Sequence, residues 1–292
     1  MRMLLQQTSI GLVMMPMMLA LFVGAQSNST DHSPHKSGFV TANGVRLHYL
    51  DWGGKGETML FLHGIGDTPH SFDDFATKFT NEYRVLGLTR RGHGESDVPG
   101  SGYDTATRVE DIRQFLDALN ISRAVLVGFS AAGGEVTMFA GKHSDRTIKA
   151  VYLDAIFDRD GLVAMRKRGA PPPELDPPKT TLLDSKRSKA LELMAEKEAY
   201  TDYQKVKSPV LAIVVVGLPT NMTERFRTLP EPRRKVIDEF LSERNVVKEK
   251  ETERFREELP SARMVMLTNA NHACFIDREK DVLREMRAFL VK

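Results

Sequence analysis

Six short apolar runs, separated by stretches with helical spacing, constrain this chain more than any other feature. Met59 to Leu62, Tyr83 to Leu88, Ala124 to Val127, Ala150 to Leu153, Val210 to Val216 and Met264 to Leu267 are continuous rather than alternating, with Arg84 the one charged residue among them. Runs of that kind predict strands buried on both faces, which a parallel sheet covered by helices provides. Between them, Val109, Ile112, Phe115, Leu116 and Leu119 recur at helical spacing and predict an amphipathic helix over Thr105 to Asn120. Val45 to Leu50 follows Asn43-Gly44 and predicts an early hairpin. The sum is an α/β fold with a doubly wound, mostly parallel sheet, whose ligands bind at the carboxyl ends of the strands.

Composition narrows the chemistry. The 292 residues carry 41 Lys+Arg against 39 Asp+Glu, so the balance gives no electrostatic case for a nucleic-acid partner. A single cysteine, Cys274, excludes an intramolecular disulfide and every multi-cysteine metal cluster. Hydroxyls, imidazoles and carboxylates are left to do any chemistry.

At the N-terminus, Arg2 precedes an uncharged apolar run from Ile10 to Gly24, closed by Val23-Gly24-Ala25. A basic start, an apolar run and a small-x-small ending predict an export signal over residues 1–25, cut after Ala25 and leaving no stable membrane anchor. The competing reading is an anchor; the run is shorter than the roughly 20 residues a span needs, and Pro16 interrupts it. Residues 26–37 read as a polar leader. Residues 38–157 and 204–292 read as the core. Residues 158–203 hold the proline-rich Pro171 to Pro178 and no strand signal, and read as a helical cap inserted at the sheet's carboxyl edge. The charged run from Glu231 to Glu258 reads as a solvated helix.

The chemistry centres on Gly128 to Gly134 (GFSAAGG), which follows a buried strand and opens a helix. A serine on such a turn, Ser130, projects its hydroxyl at the top of the sheet, and small neighbours leave the turn room. Ala132 stands where the G-x-S-x-G pattern has its last glycine. His63-Gly64-Ile65-Gly66 ends an earlier strand, Leu88 to Asp97 (LTRRGHGESD) begins at the end of the next, and His272 comes after the last one. With these four motifs in this order, the chain from Phe39 to Lys292 resembles the α/β-hydrolase superfamily, in its serine-nucleophile branch.

That resemblance implies Ser130 as nucleophile, His272 as general base, and an oxyanion hole made by the backbone N–H groups of Ile65 and Ala131. His63 and His93 fall at positions that are structural in the family. The usual place for the third member, after Val210 to Val216, reads Val216-Gly217-Leu218-Pro219-Thr220 and has no carboxylate before Glu224. The chain instead resembles members with the acid on the preceding strand. Asp154 is the expected acid, with Asp158 as the alternative. Phe129, Ile65 and Leu162 are expected to line an apolar acyl pocket, and Cys274 to be a buried small side chain. The implied activity is a carboxylesterase-type serine hydrolase acting on a small-molecule ester-like substrate, with no metal or organic cofactor. Lactonase, amidase or peptidase, acyltransferase and perhydrolase chemistry use the same residues, and a non-catalytic binding protein on this fold is the other alternative.

Overall fold

The computed structural model describes residues 33–156, 185–217 and 226–291. The export signal at 1–25, most of the leader, Asp158, Leu162, the proline-rich run and Leu218 to Glu224 lie outside them.

A hairpin opens the fold. β1 (Lys36–Ala42) and β2 (Val45–Gly53) pair antiparallel around Asn43 and Gly44, whose φ values are +50° and +72°. Two left-handed residues match the twist of flanking strands, and asparagine and glycine tolerate that conformation best. Next come β3 (Thr58–Leu62) and β4 (Arg84–Leu88), α1 (Thr105–Ala118), β5 (Ala124–Phe129), α2 (Ala132–Lys142) and β6 (Thr147–Leu153). The chain then continues through α3 (Ser185–Glu196), β7 (Val210–Val216), α4 (Glu231–Glu258), β8 (Arg263–Thr268) and α5 (Glu279–Leu290). The sheet order is β1-β2-β4-β3-β5-β6-β7-β8, and every pair from β4 to β8 is parallel. This is the doubly wound sheet that the apolar runs predict.

Strand geometry then sorts the core into two layers, because successive side chains point to opposite faces. Along β5, Ala124 and Leu126 join Val109, Ile112 and Phe115 of α1, Val136 and Phe139 of α2, and Phe255 of α4. Val125, Val127 and Phe129 face the other way, toward Phe72, Phe75, Phe79 and the Val282, Met286 and Leu290 stripe of α5. Helix α1 starts where Asp104 accepts a 2.9 Å hydrogen bond from Thr107 N–H, and Asn120 at φ +55° turns the chain out of it.

Two expectations need correction. β8 is not buried on both faces: it pairs only with β7, and Met266 is 42% exposed. An edge strand has one neighbour, so a short apolar run does not by itself place a strand at the centre of a sheet. Helix α4 spans the expected residues but is not simply solvated. Ile237 and Leu241 pack with Phe226, while Glu251, Thr252 and Phe255 are buried.

Candidate active site

The turn after β5 holds Ser130 at φ +55°, a left-handed conformation that costs a residue with a Cβ about 1–2 kcal/mol. Its surroundings hold it there: Ser130 N–H donates to Leu153 O at 3.3 Å, and Ser130 O accepts from Gly133 N–H at 3.0 Å. The small residues answer to close packing of α2 on the strands. A Cβ on Gly128 would lie 2.7 Å from Val136 Cγ2, and one on Gly133 would lie 1.7 Å from Ala155 O. Ala132 is fully buried, so an alanine fits where the pattern usually has glycine.

Three side chains from distant parts of the chain meet at this turn. His272 Nε2 lies 2.8 Å from Ser130 Oγ, and His272 Nδ1 lies 2.7 Å from Asp154 Oδ2. A proton on Nδ1 satisfies both contacts, with Nδ1–H donating to the carboxylate and Nε2 accepting from the hydroxyl. The His272 loop is fixed from behind. Asn271 N–H donates to Asp277 Oδ2 at 2.7 Å, and Arg278 Nη1 donates to Thr268 O at 2.7 Å. The imidazole also lies against the Phe129 ring, 4.8 Å between centroids.

Asp154 sits at the end of β6, at φ +46° and 4% exposed. Its N–H donates to Ile213 O at 2.8 Å, and its Oδ1 accepts from Val215 N–H at 2.9 Å and from Lys248 Nζ at 2.6 Å. Burial alone would push its pKa up. The Lys248 ammonium and the bond to His272 outweigh burial and hold the carboxyl well below the usual carboxylate range.

The loop from His63 to Gly66 is held by two buried, neutral histidines. His63 Nε2 accepts from Arg90 N–H at 3.1 Å, and His93 Nε2 accepts from Gly66 N–H at 3.0 Å. Burial, with the Arg90 charge adding to it, pushes His63 well below the ordinary histidine value and His93 to about 3. Both rings therefore stay available as acceptors. With Gly66 N–H on His93 and Ser130 N–H on Leu153 O, the amides on the inner side of each are engaged. Among the described residues no hydrogen bond takes up the N–H of Ile65 or Ala131.

Asp67, one residue beyond Gly66, is 2% exposed, and burial raises its pKa to about 6 despite the Thr68 N–H bond that opposes the shift. A carboxyl whose folded pKa is raised binds its proton more tightly when folded, so stability falls as pH rises from about 4 to about 6. The shift corresponds to about 3 kcal/mol. The two histidines act oppositely, since each resists protonation when folded and withdraws stability below about pH 6.5. Comparing variants isolates the aspartate. Asp67→Asn is expected to be more stable than the unmodified chain by about 2–3 kcal/mol at pH 7.5, with the gain shrinking to about 1 kcal/mol by pH 4.5 and gone below about pH 4. Urea melts across that range check it, and a difference independent of pH would refute the assignment.

The structure places the expected pocket residues in different surroundings. Phe129 is fully buried against Phe72 and Phe275, and its ring backs His272. Its position on β5 turns it to the same layer as Val125 and Val127, inside the core. Ile65 packs with Tyr103 and with Ala190, Leu191 and Met194 of α3, and Ala131 borders the same cluster. The described helix of the expected cap thus packs over the loop that carries Ile65. Cys274 is fully buried, and burial pushes its thiol pKa far up, as befits a packing residue. Sequence reasoning missed Lys248. It lies among many similar charges on α4, and nothing local distinguishes it.

Residues 59–285 match the model of the alpha/beta hydrolase family. The chain belongs to that family. Among curated relatives, it is 36% identical over 123 residues to a non-heme chloroperoxidase of Streptomyces lividans, covering 40% of this chain and 44% of that protein. It is 34% identical over 125 residues to a bifunctional esterase/perhydrolase of Acinetobacter calcoaceticus, covering 41% of this chain and 45% of the relative. The matched stretch is therefore less than half the length of either relative. Among solved structures, E-2-(acetamidomethylene)succinate hydrolase superposes with a TM-score of 0.68 at 19% identity. That superposition covers 89% of this chain and all of the other, and establishes the shared fold.

Proposed function

We propose that this alpha/beta hydrolase family member is a serine hydrolase that cleaves ester-like bonds through an acyl-enzyme. The observation that carries the reading is the continuous Asp154–His272–Ser130 chain of hydrogen bonds, 2.7 Å and 2.8 Å long, ending on a serine held at a strand-to-helix turn. Ser130 Oγ attacks the carbonyl carbon as its proton passes to His272 Nε2. The carbonyl oxygen takes up negative charge facing the Ile65 and Ala131 amides, where the start of α2 also favours an anion. His272 then gives the proton to the leaving alkoxide. Water, deprotonated by the same imidazole, releases the acid and restores the serine.

A second reading has specific support in the bifunctional esterase/perhydrolase among the relatives. Hydrogen peroxide would replace water in the last step, giving a peracid from the same acyl-enzyme.

The test is labelling of the purified protein with a fluorophosphonate, followed by peptide mapping, beside hydrolysis of short p-nitrophenyl esters. Labelling is expected on Ser130, with ester turnover, and both are expected to vanish in Ser130→Ala. An unlabelled protein whose ester turnover matches that of the variant would leave a binding protein on this fold. Peracid formation from an ester and peroxide separates the second reading from the first.

A further inference from the structure

The connection between β7 and β8 is where most of the family, by its motif pattern, carries the acid. Here it holds the 28-residue helix α4, and that helix brings a cation to the acid on β6. Lys248 Nζ stands 2.6 Å from Asp154 Oδ1, with the lysine side chain 24% exposed and the aspartate 4%. The two carboxylate oxygens have separate partners: Oδ1 takes Lys248 and the Val215 amide, and Oδ2 takes His272.

The approach of Lys248 is fixed by the next two turns of the helix. One turn on, Thr252 Oγ1 donates to Lys248 O at 2.7 Å. Glu251, 1% exposed, accepts from Tyr203 O–H at 2.7 Å, and Phe255 packs edge-on against the Tyr152 and Tyr203 rings. Tyr152 lies two residues before Asp154 on the same strand. Helix and acid are therefore anchored to one another through the core, and the ammonium is delivered at a set distance.

We propose that Lys248 is a positioning residue of the triad, fixing the Asp154 carboxylate and tempering the negative charge that His272 feels, and so setting the pH range over which Ser130 is activated. The inference rests on the serine-hydrolase reading. A carboxylate with a cation on one oxygen attracts an imidazolium on the other less strongly than a lone carboxylate does. His272 then releases its proton to the leaving group more readily and stays a base at lower pH. The charged and titratable groups facing Asp154 among the described residues are Lys248 and Arg244 from α4, and His272 and Cys274 from the segment after β8. β7 contributes the Val215 amide, and Ser130 lies beyond His272. Arg244 sits one turn before Lys248 and adds a second positive charge to the same field.

The experiment compares Lys248→Met and Lys248→Arg with the unmodified protein, reading the rate of fluorophosphonate labelling at Ser130 against pH. The titration of the His272 ring is followed by NMR in parallel. In Lys248→Met the acid limb of the labelling profile and the ring titration are expected to move up together by about one pH unit. In Lys248→Arg both are expected to stay near their original positions. A purely structural lysine would lower labelling or thermal stability and leave both midpoints unmoved, which would overturn the proposal. Should Lys248→Met not fold, Lys248→Gln and the arginine variant give the same comparison, and equal midpoints in these two refute it. Absence of labelling in the unmodified protein would instead defeat the hydrolase reading beneath it.

Discussion

Asp154→Asn is expected to lower kcat by about 10⁴-fold on a p-nitrophenyl ester, with KM little changed. The size of the effect comes from which way the amide must face. Lys248 Nζ and Val215 N–H are both donors and converge on one oxygen of Asp154. In the variant they hold the amide oxygen, which leaves the amide NH₂ pointing at His272 Nδ1. Two donors cannot share that contact, so the ring proton moves to Nε2, and Nε2 can no longer accept from Ser130. The fold is expected to survive, because the substituted group is isosteric and the two donors keep their acceptor. Steady-state rates and fluorophosphonate labelling should fall together. A rate near that of the unmodified protein would move the acid elsewhere, and Asp158→Asn would then be the variant to measure.

Glu135→Ala is expected to destabilise the protein by about 3–5 kcal/mol, the range for removing one partner of a buried ion pair. Glu135 is fully buried, with Arg90 Nη1 at 2.9 Å and Arg108 Nε at 3.0 Å from the same oxygen. Removing it leaves two guanidinium groups, 3% and 1% exposed, facing each other with less compensating charge. Arg108 retains Glu198 at 2.6 Å, and Arg90 retains the bond from its Nη2 to His63 O. At about 2–4 °C per kcal/mol, the melting temperature should fall by about 10 °C. Because Arg90 also holds the loop that carries Ile65, ester turnover is expected to fall below the melting transition. Adding Arg108→Met should give less than the sum of the single losses, since the two changes remove a shared contact. Strict additivity, or a melting point within a degree or two of the original, would show that the cluster contributes little.

The cluster matters to the site through what it joins. Arg90 lies just beyond β4, Arg108 on α1, Glu135 on α2 and Glu198 shortly after α3. Thr105 Oγ1, at the first turn of α1, donates to Glu198 Oε1 and accepts from Ala199 N–H, both at 2.9 Å. The described part of the insertion is thus tied to the floor of the site by charge as well as by the Leu191 and Met194 contacts.

Much of this was legible in the sequence, for reasons that differ from element to element. β3, β5 and β7 announce themselves because a buried strand is apolar at every position, a property of a few neighbouring residues. Ser130 was legible because a tight strand-to-helix turn demands small residues within a few positions. His63 and His93 were legible as parts of motifs, but not their work as neutral acceptors on Arg90 and Gly66, which depends on burial. Phe129 reads from sequence as an apolar residue beside Ser130, and only the packing of β5 shows that it faces the core.

The sequence by itself determined the parallel sheet, the serine turn and the histidine after the last strand, since each is written in a few consecutive residues. The tertiary structure decided which carboxylate reaches that histidine, because Asp154 and His272 stand 118 positions apart and meet only when β6 and β8 flank β7. It also decided that one lysine among the many charges of α4 turns inward. The contact with Asp154 spans 94 positions and is set by how Glu251 and Phe255 seat the helix. Local patterns record the burial of an element; the partner of a buried charge is fixed by packing between elements, which no short stretch of sequence encodes.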